Sequence, residues 1–273
     1  MTDKKDFPYL HGFSETEQNR LRGQAQFAEY SVFEKVNFSL CSNIIEVGCG
    51  VGAQTEILLR RFPKLHVTGI DLNDKQLESA GKFLGSVSYA KGRYDFQKMS
   101  ADHLSFKEAT FDGAFLCWIL EHVPNPADVL REARRVLSPG AEIVVTEVMN
   151  SSLFMDPYSP NLWKYWMALN DFQYDHAGDP FIGAKLGNLL TAAGFHNVNA
   201  EVKTWHLDNR QPVLRKKTLL YWTDLLLSAA DKLESEKYVD AEMVTKVKEE
   251  LDKIAHDPNA VFLYSFMQAT GQA

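Results

Sequence analysis

One segment limits the fold of this chain more than any other: an apolar run that ends in three closely spaced glycines. Ile44-Ile45-Glu46-Val47 leads into Gly48-Cys49-Gly50-Val51-Gly52, and helix-forming residues follow. A short apolar run of this kind predicts a buried strand, and glycines let the backbone after it approach a ligand closely. The start of the next helix presents free N–H groups to a polar or anionic group. The segment therefore predicts a strand–loop–helix unit that binds a ligand.

Apolar and helical segments alternate along the first 150 residues. The predicted strands there are Asn43–Val47, His66–Ile70, Asp95–Met99, Gly113–Trp118 and Glu142–Val148. The predicted helices are 14–30, Thr55–Arg61, Asp74–Leu84 and Ala127–Leu137, the first of them with a capping-box spacing of Ser14 and Glu17. Such alternation predicts an α/β fold with a parallel sheet and helices on both faces.

The alternation of predicted strands and helices ends after Asn150. Residues 151–180 are rich in aromatic side chains, and we predict one or two long helices over 213–255. Between and after them we predict a helix over Ile182–Ala193 and strands over Val198–His206 and Ala260–Ala269.

Composition excludes several classes of function. The net charge of −7 disfavours nucleic acid as the main substrate, because a protein that holds a phosphate backbone usually carries a basic surface. Three cysteines without a CxxC pair favour neither a metal site nor a disulfide framework. No run approaches the ~20 apolar residues of a membrane span. The N-terminal residues lack a secretory apolar region, so we expect a cytoplasmic location without membrane attachment.

An acidic residue closes the second predicted strand. Asp71 lies 19 residues after Gly52, where a carboxylate can accept hydrogen bonds from both hydroxyls of a ribose. Two nucleoside cofactors fit this pattern. Gly48, Gly50 and Ala53 loosely satisfy the dinucleotide fingerprint of an NAD(P)-dependent oxidoreductase, but that fingerprint leaves Glu46 unexplained.

The alternative is more specific. The run hydrophobic-hydrophobic-Glu-hydrophobic-Gly-x-Gly-x-Gly resembles the first motif of the class I S-adenosylmethionine-dependent methyltransferases. Three later segments also resemble that family, in its order and spacing: Ser100–Phe106, Phe111–Phe115 through Val123, and Leu137–Ile143. The last departs from the family's Pro-Gly-Gly turn, since Ala141 replaces the second glycine.

The resemblance implies a Rossmann-like, doubly wound fold in a single domain. We expect a seven-stranded, mostly parallel sheet whose last strand, Ala260–Ala269, runs antiparallel beside Val198–His206. Residues 1–40 would form a helical lid and 41–150 the cofactor-binding core. The segments 151–180 and 207–258 would be inserts that cover the substrate.

The resemblance also implies the cofactor, S-adenosylmethionine, with S-adenosylhomocysteine as product. The residues predicted to bind it are Glu46, Gly48, Gly50, Gln54, Asp71, Leu72, Asp102, His103 and Cys117, with Gln24 and Arg22 on the lid. Arg20 is a further candidate for the methionine carboxylate.

The expected reaction is in-line displacement at the sulfonium methyl by a small-molecule acceptor, with no metal. Positioning supplies much of the rate, and a base is needed only for a protonated nucleophile. His122 is the candidate base. Tyr9, His122, Tyr158, Trp163 and Trp166 are the candidate substrate residues, because an aromatic cage attracts a protonated or quaternary amine. N-, O-, S- and C-methylation stay open, as do a protein side-chain acceptor and a non-catalytic cofactor-binding protein. The sequence gives no prediction of oligomeric state.

Overall fold

The computed structural model describes Gly12 and residues 14–273, which divide into two compact units. The first unit contains residues 14–148, Ile182–Lys203 and Met267–Ala273. The second contains Met149–Phe181 and Thr204–Phe266, and so includes the whole of both predicted inserts. The assignment of lid, core and inserts to one domain stays a prediction.

The described residues contain eight strands and nine α-helices. The strands are β1 (Asn43–Val47), β2 (His66–Asp71), β3 (Tyr94–Lys98), β4 (Phe111–Cys117), β5 (Leu137–Val148), β6 (Phe154–Asp156), β7 (His196–Leu207) and β8 (Val261–Gln272). The helices are α1 (Glu15–Phe33), α2 (Ala53–Arg61), α3 (Asp74–Gly85), α4 (Pro126–Val136), α5 (Pro160–Asp175), α6 (Leu186–Ala192), α7 (Pro212–Leu227), α8 (Ala230–Ser235) and α9 (Ala241–His256). No described helix is both long and apolar enough to cross a membrane.

The first unit is built on a parallel sheet in the order β3-β2-β1-β4-β5. Ile44 of β1 is paired with Val67 of β2 on one side and with Gly113 of β4 on the other. Because both faces of such a sheet are covered by helices, the inner strands β1, β2 and β4 are nearly continuous runs of buried residues, whereas the edge strand β3 has none. Ile45, Leu116 and Ile143 are accordingly inaccessible to solvent.

The last strands confirm the predicted change of direction. β8 follows β5 in the sheet, β7 pairs with β8, and the C-terminal strands are antiparallel. In the first unit, Gly140 N–H donates to Ala273 O at 2.9 Å and Ala273 N–H donates to Ala141 O at 3.0 Å. In the second unit β6 adds a short strand that the sequence did not predict, antiparallel to the start of β8.

Helix ends follow local capping chemistry. Ser14 Oγ accepts a hydrogen bond from Glu17 N–H at 3.2 Å and so begins α1. Asn73 caps α3 in the same way through Gln76 N–H. In the second unit a capping group comes from another helix: both carboxylate oxygens of Glu250 on α9 accept hydrogen bonds from the first turn of α5, where Asn161 and Leu162 lie.

Three sequence-based predictions about elements were wrong in detail. The segment 213–255 forms three helices, because short turns separate α7 from α8 and α8 from α9. The predicted helix Ile182–Ala193 begins as a 3-10 turn at Ile182–Lys185 before α6. Strand β5 begins at Leu137, because Pro139-Gly140 takes part in the strand that pairs with the C-terminus.

Candidate active site

The glycine loop joins β1 to α2 and lies at the carboxyl edge of the sheet. Gly48, Gly50 and Gly52 all have positive φ angles, of 75°, 50° and 73°. Residues with side chains rarely adopt this left-handed backbone, so the path of the loop depends on glycine. Gly48 N–H and Cys49 N–H both donate to Ile70 O at 2.9 Å, which ties the loop to the end of β2.

The glycines differ in what surrounds them. A Cβ atom added at Gly48 would lie 2.8 Å from Cγ1 of Ile119, so close packing requires glycine there. A Cβ atom added at Gly50 would meet no atom of the described residues within 4 Å. The loop therefore leaves open space above Gly50, where a ligand can approach the backbone.

Asp71, the last residue of β2, faces the glycine loop. Its Oδ2 accepts a hydrogen bond from Gly50 N–H at 3.0 Å, and its Oδ1 accepts one from Asn73 N–H at 2.9 Å. Burial raises the pKa of this carboxyl, while the backbone N–H groups that it accepts from act in the opposite direction. Leu72, the next residue, has 61% of its surface exposed. An acceptor and an apolar surface thus adjoin at the end of β2.

Glu46 lies inside the unit rather than at its surface. Its Oε2 accepts a hydrogen bond from Thr55 Oγ1 on α2 at 2.5 Å. Burial raises the pKa of Glu46 to about 8, and the hydrogen bond from Thr55 partly offsets that effect. The structure therefore gives Glu46 a bond between β1 and α2, and its predicted contact with a cofactor stays a prediction.

Gln54 and Cys117 meet beside the glycine loop. Gln54 Nε2 lies 3.7 Å from Cys117 Sγ, and Gln54 Oε1 is buried without a hydrogen-bond partner in the described part of the chain. Burial raises the pKa of the Cys117 thiol well above its ordinary value, so this sulfur is neutral and a poor nucleophile. The amide of Gln54 has an acceptor left to bind a ligand group.

The loop after β3 carries Asp102 and His103, and both are exposed. Ser100 Oγ donates a hydrogen bond to Asp102 Oδ1, and His103 N–H donates to Ser100 O at 3.2 Å. The loop starts next to Asp71, because Met99 N–H donates to Asp71 O at 3.0 Å. The predicted adenine-contacting segment is thus joined to the ribose-contacting candidate through one backbone bond.

Helix α1 presents its polar side chains in two groups. Arg20 donates to the buried carboxylate of Glu17 and, at 3.2 Å, to Gln24 Oε1. Arg22 points to α3 instead: its guanidinium donates to Ser79 Oγ at 2.6 Å and lies 5.1 Å from the centre of the Phe83 ring. Arg22 therefore holds α1 against α3, and its predicted contact with the cofactor carboxylate stays a prediction.

His122 follows β4, in the 3-10 turn Leu120–His122. Its Nε2 lies 3.5 Å from Oε1 of Glu121, and that carboxylate is itself largely buried. Glu147, near the end of β5, accepts hydrogen bonds from Ile119 N–H and Leu120 N–H in the same turn. Sequence reasoning missed Glu121, Glu147, Thr55 and Ile119. A charged residue inside the apolar strand Ile143–Val148 was the signal that could have identified Glu147.

The predicted aromatic substrate residues lie in the second unit. Tyr158 and Trp163 have exposed side chains. Trp166 is buried, its Nε1–H donates to Asn150 O at 2.9 Å, and its ring packs edge-on against Trp222. The structure thus gives Trp166 a packing role, and its contact with a substrate stays a prediction. Tyr9 lies outside the described residues.

These features fit a nucleoside cofactor. The space above Gly50, the buried acceptor Oε1 of Gln54, the Asp71 carboxylate and the exposed Leu72 all belong to the first unit. A loop that admits no side chain at Gly48 but leaves room above Gly50 provides close backbone approach, which a ribose and its sulfur substituent require.

The chain is similar in sequence to known methyltransferases. Residues 45–145 match the methyltransferase domain family. The O-methyltransferase resE of Aspergillus sclerotiorum is 30% identical over 189 residues, which cover 68% of this chain and 66% of that protein. The chain spans about half to two thirds of the length of the first curated relatives that it matches.

Two solved structures are similar in fold. The [4+2]-cyclase SpnF has a TM-score of 0.53 and 20% identity, with coverage of 98% of this chain and 84% of that one. The phosphoethanolamine N-methyltransferase 2 of Haemonchus contortus, in complex with phosphomonomethylethanolamine and S-adenosylhomocysteine, has a TM-score of 0.56 and 15% identity over 92% of this chain and 53% of that one. At such identities the likeness shows the fold.

The strand order, the glycine loop and the acidic end of β2 define a Rossmann-like fold of the class I methyltransferase type. The methyltransferase domain matched over residues 45–145, together with the O-methyltransferase relative, gives the class: the chain carries a class I S-adenosylmethionine-dependent methyltransferase domain. The family's cofactor is S-adenosylmethionine, so the alternative of an NAD(P)-dependent oxidoreductase is set aside.

Proposed function

We propose that this protein transfers the methyl group of S-adenosylmethionine to a small-molecule acceptor by in-line displacement. The observation that carries the proposal is the bond between Gly50 N–H and Asp71 Oδ2, at 3.0 Å, beside open space above Gly50. This arrangement offers a carboxylate to a ribose at the same edge of the sheet where backbone can approach a ligand closely.

Each part of the cofactor has a candidate partner. Asp71 would accept from the ribose hydroxyls, and Leu72 would cover one face of the adenine. Asp102 and His103, on the exposed loop after β3, would meet the edge of the adenine. Gln54 would use its Oε1, which has no partner among the described residues, toward the ammonium group of the methionine part, because an amide oxygen accepts from a cation.

On helix α1, Gln24 is the better candidate for the methionine carboxylate. Its Oε1 accepts from Arg20, which leaves its amide N–H groups as donors. Arg22 is committed to Ser79 and the Phe83 ring, so its part in the site would be to hold α1 in place.

When bound, the sulfonium supplies an activated methyl group together with its leaving group. The protein's task is to hold the acceptor in line and to exclude water, and positioning of this kind is worth about 7–11 kcal/mol in the best intramolecular systems. His122 would take a proton from an acceptor that arrives protonated. Glu121, 3.5 Å from its Nε2, would stabilise the positive charge that the imidazole then carries.

The acceptor is proposed as a small molecule on two grounds. The net charge of −7 opposes a nucleic-acid backbone, and the matched relative resE is named an O-methyltransferase. Tyr9, Tyr158 and Trp163 remain the candidates for contact with the acceptor. Transfer to nitrogen, oxygen, sulfur or carbon, and a protein side chain as acceptor, stay open. The cytoplasmic location is also a proposal.

Calorimetric titration tests the cofactor. We expect S-adenosylmethionine and S-adenosylhomocysteine to bind in the micromolar range and NADH and NADPH to show no heat of binding. Asp71→Ala should weaken the binding of both sulfur nucleosides about 100-fold, because two hydrogen bonds to a charged acceptor are lost. Asp95→Ala, which removes an exposed carboxylate from the neighbouring strand β3, is the matched control.

Acceptor screening tests the reaction. Small amines, thiols, phenols and enolisable ketones are incubated with the protein and S-adenosylmethionine, and S-adenosylhomocysteine release is measured. Release that depends on one acceptor class supports methyl transfer to a small molecule. Cofactor binding without release on any of these, but with labelling of a protein, would replace the small-molecule acceptor by a side chain. Absence of cofactor binding would overturn the proposal.

A further inference from the structure

Glu147 is a buried carboxyl group that none of the steps above uses. It lies near the end of β5, immediately after Thr146, which is the register partner of Cys117 on β4. Its side chain is inaccessible to solvent. Its Oε1 accepts hydrogen bonds from Ile119 N–H at 2.9 Å and from Leu120 N–H at 2.7 Å. One oxygen of this strand residue therefore holds two backbone groups of the loop after β4.

Those two N–H groups stand at the start of the 3-10 turn Leu120–His122. The first N–H groups of a helical turn have no partner inside the turn, so they need an acceptor from elsewhere. Glu147 supplies it from the neighbouring strand. The end of β5 also holds the residue before Ile119: Trp118 N–H donates a hydrogen bond to Thr146 O at 2.9 Å. Trp118 has a φ of 55°, in the left-handed region.

The turn that Glu147 holds packs against the glycine loop. Three carbons of the Ile119 side chain lie within 2.9 Å of the position where Gly48 would carry a Cβ atom. The same turn carries Glu121 and His122, whose side chains lie 3.5 Å apart. A shift of this turn would therefore move both the wall above Gly48 and the candidate base.

We propose that Glu147 is a positioning residue of the methyl-transfer site, which fixes the turn 119–122 so that Ile119 closes against Gly48 and His122 is held at the edge of the sheet. This inference rests on the proposed function, because the site that Glu147 positions is the one assigned there to the cofactor and the acceptor. Glu147 itself would contact neither the cofactor nor the acceptor.

The chemistry of the side chain defines the test. Burial and the nearby Glu121 carboxylate raise the pKa of Glu147 well above its ordinary value, and its Oε2 is buried without a partner in the described residues. The two backbone N–H groups of the turn need only an acceptor oxygen at the position of Oε1. Glutamine has the same shape and keeps an acceptor oxygen, so Glu147→Gln should keep the hydrogen bonds from Ile119 N–H and Leu120 N–H. Methionine keeps the length without the acceptor, and aspartate keeps the carboxyl but is one carbon too short.

The experiment compares Glu147→Gln, Glu147→Met and Glu147→Asp by hydrogen–deuterium exchange of the intact protein and by calorimetry with S-adenosylhomocysteine. Glu142→Met is the control, since Glu142 is a half-buried carboxyl earlier on the same strand. We expect Glu147→Met and Glu147→Asp to raise exchange over 118–123 about tenfold and to weaken S-adenosylhomocysteine binding about tenfold. Glu147→Gln and Glu142→Met should stay within about twofold of the wild type in both measurements.

Two results would overturn the inference. The first is an exchange rate over 118–123 in Glu147→Met that equals the wild-type rate. The second is a rise in exchange across the whole sheet in Glu147→Met that Glu147→Gln does not reverse, because this pattern indicates general destabilisation. Failure of the proposed function is a separate outcome. It appears as absence of S-adenosylhomocysteine binding in the wild type, while the exchange measurement still reports whether Glu147 holds the turn.

Discussion

The backbone N–H of Gly50 donates a hydrogen bond to Oδ2 of Asp71 at 3.0 Å, so the loop after β1 is fastened to the last residue of β2. The two strands are neighbours in parallel register, from Asn43 with His66 to Val47 with Ile70. Because the carboxyl ends of parallel strands share one edge, two residues 21 positions apart meet there. This contact brings the backbone of the glycine loop and the carboxylate of Asp71 into one site.

The first prediction separates space from backbone strain in the glycine loop. Gly50→Ala should cost about 1–2 kcal/mol of unfolding free energy, the usual cost of a left-handed residue with a Cβ atom. It should also weaken S-adenosylhomocysteine binding, because the added methyl enters the open space above the loop. Gly48→Ala should destabilise more, since its methyl would also clash with Ile119.

Gly140→Ala is the matched control for that pair. Gly140 has a φ of 80°, and a Cβ atom there would meet no atom within 4 Å in the part of the chain that the structure describes. Urea unfolding should give it the same loss as Gly50→Ala, with unchanged calorimetric affinity. Equal affinities for Gly50→Ala and Gly140→Ala would remove Gly50 from the site.

The second prediction concerns pH. Burial raises the folded-state pKa of Glu46 to about 8 from its ordinary value of 4.5. Between these values the folded state binds more protons than the unfolded state, so the stabilising contribution is complete below pH 4.5 and is lost as the pH rises towards 8. One such group changes the unfolding free energy by at most about 1.4 kcal/mol per pH unit.

Glu46→Gln isolates this effect. Urea unfolding between pH 5 and 8 should show a shallower fall of stability in Glu46→Gln than in the wild type. Glu249→Gln, which neutralises an exposed carboxylate on α9, should follow the wild-type slope. Identical slopes for wild type and Glu46→Gln would show that Glu46 is ionised in the folded protein at these pH values.

The third prediction assigns Arg22 to the joint between α1 and α3. Its guanidinium donates to Ser79 Oγ at 2.6 Å and stacks on the Phe83 ring. A double-mutant cycle with Arg22→Ala and Ser79→Ala should give a coupling free energy of about 0.5–1.5 kcal/mol in thermal unfolding. Arg22→Ala combined with Glu78→Ala, on the exposed side of α3, should give additive losses. Additivity for Arg22 with Ser79 would contradict the joint.

The fourth prediction concerns Arg93, whose side chain donates hydrogen bonds to several backbone carbonyl groups. Its guanidinium donates to the carbonyl oxygens of Leu59, Phe62, Pro63 and Tyr89, and so closes the end of α2. Arg93→Ala should lower the unfolding free energy by about 2–3 kcal/mol, because four carbonyl oxygens, two of them in partly buried bonds, lose a charged donor. Arg93→Lys should recover less than half of that loss, since an ammonium group lacks the planar fork. Lys91→Ala, an exposed neighbour, should cost under about 0.5 kcal/mol.

Strands of the first unit could be predicted because short apolar runs in the sequence indicate which segments are buried. Apolar runs bounded by glycine or aspartate predicted β1 at Asn43–Val47 and β2 at His66–Asp71 within one residue of the structure. A second local pattern, the capping-box spacing of Ser14 and Glu17, predicted the start of α1. The division of 213–255 into three helices, where one or two were predicted, was missed because the turns between α7, α8 and α9 contain neither proline nor glycine.

The sequence by itself determined the alternating α/β fold, the glycine loop and the acidic end of the second strand, because each is a short-range pattern of burial, backbone freedom and charge. The tertiary structure alone decided the partners of the side chains. It joined Gly50 to Asp71, turned Arg22 towards Ser79, and placed Glu147 beneath Ile119 and Leu120. These pairs lie 21 to 57 residues apart, and no local pattern encodes which distant group a buried donor or acceptor will meet. That choice is made by packing, since a buried polar group must find a partner wherever the fold provides one.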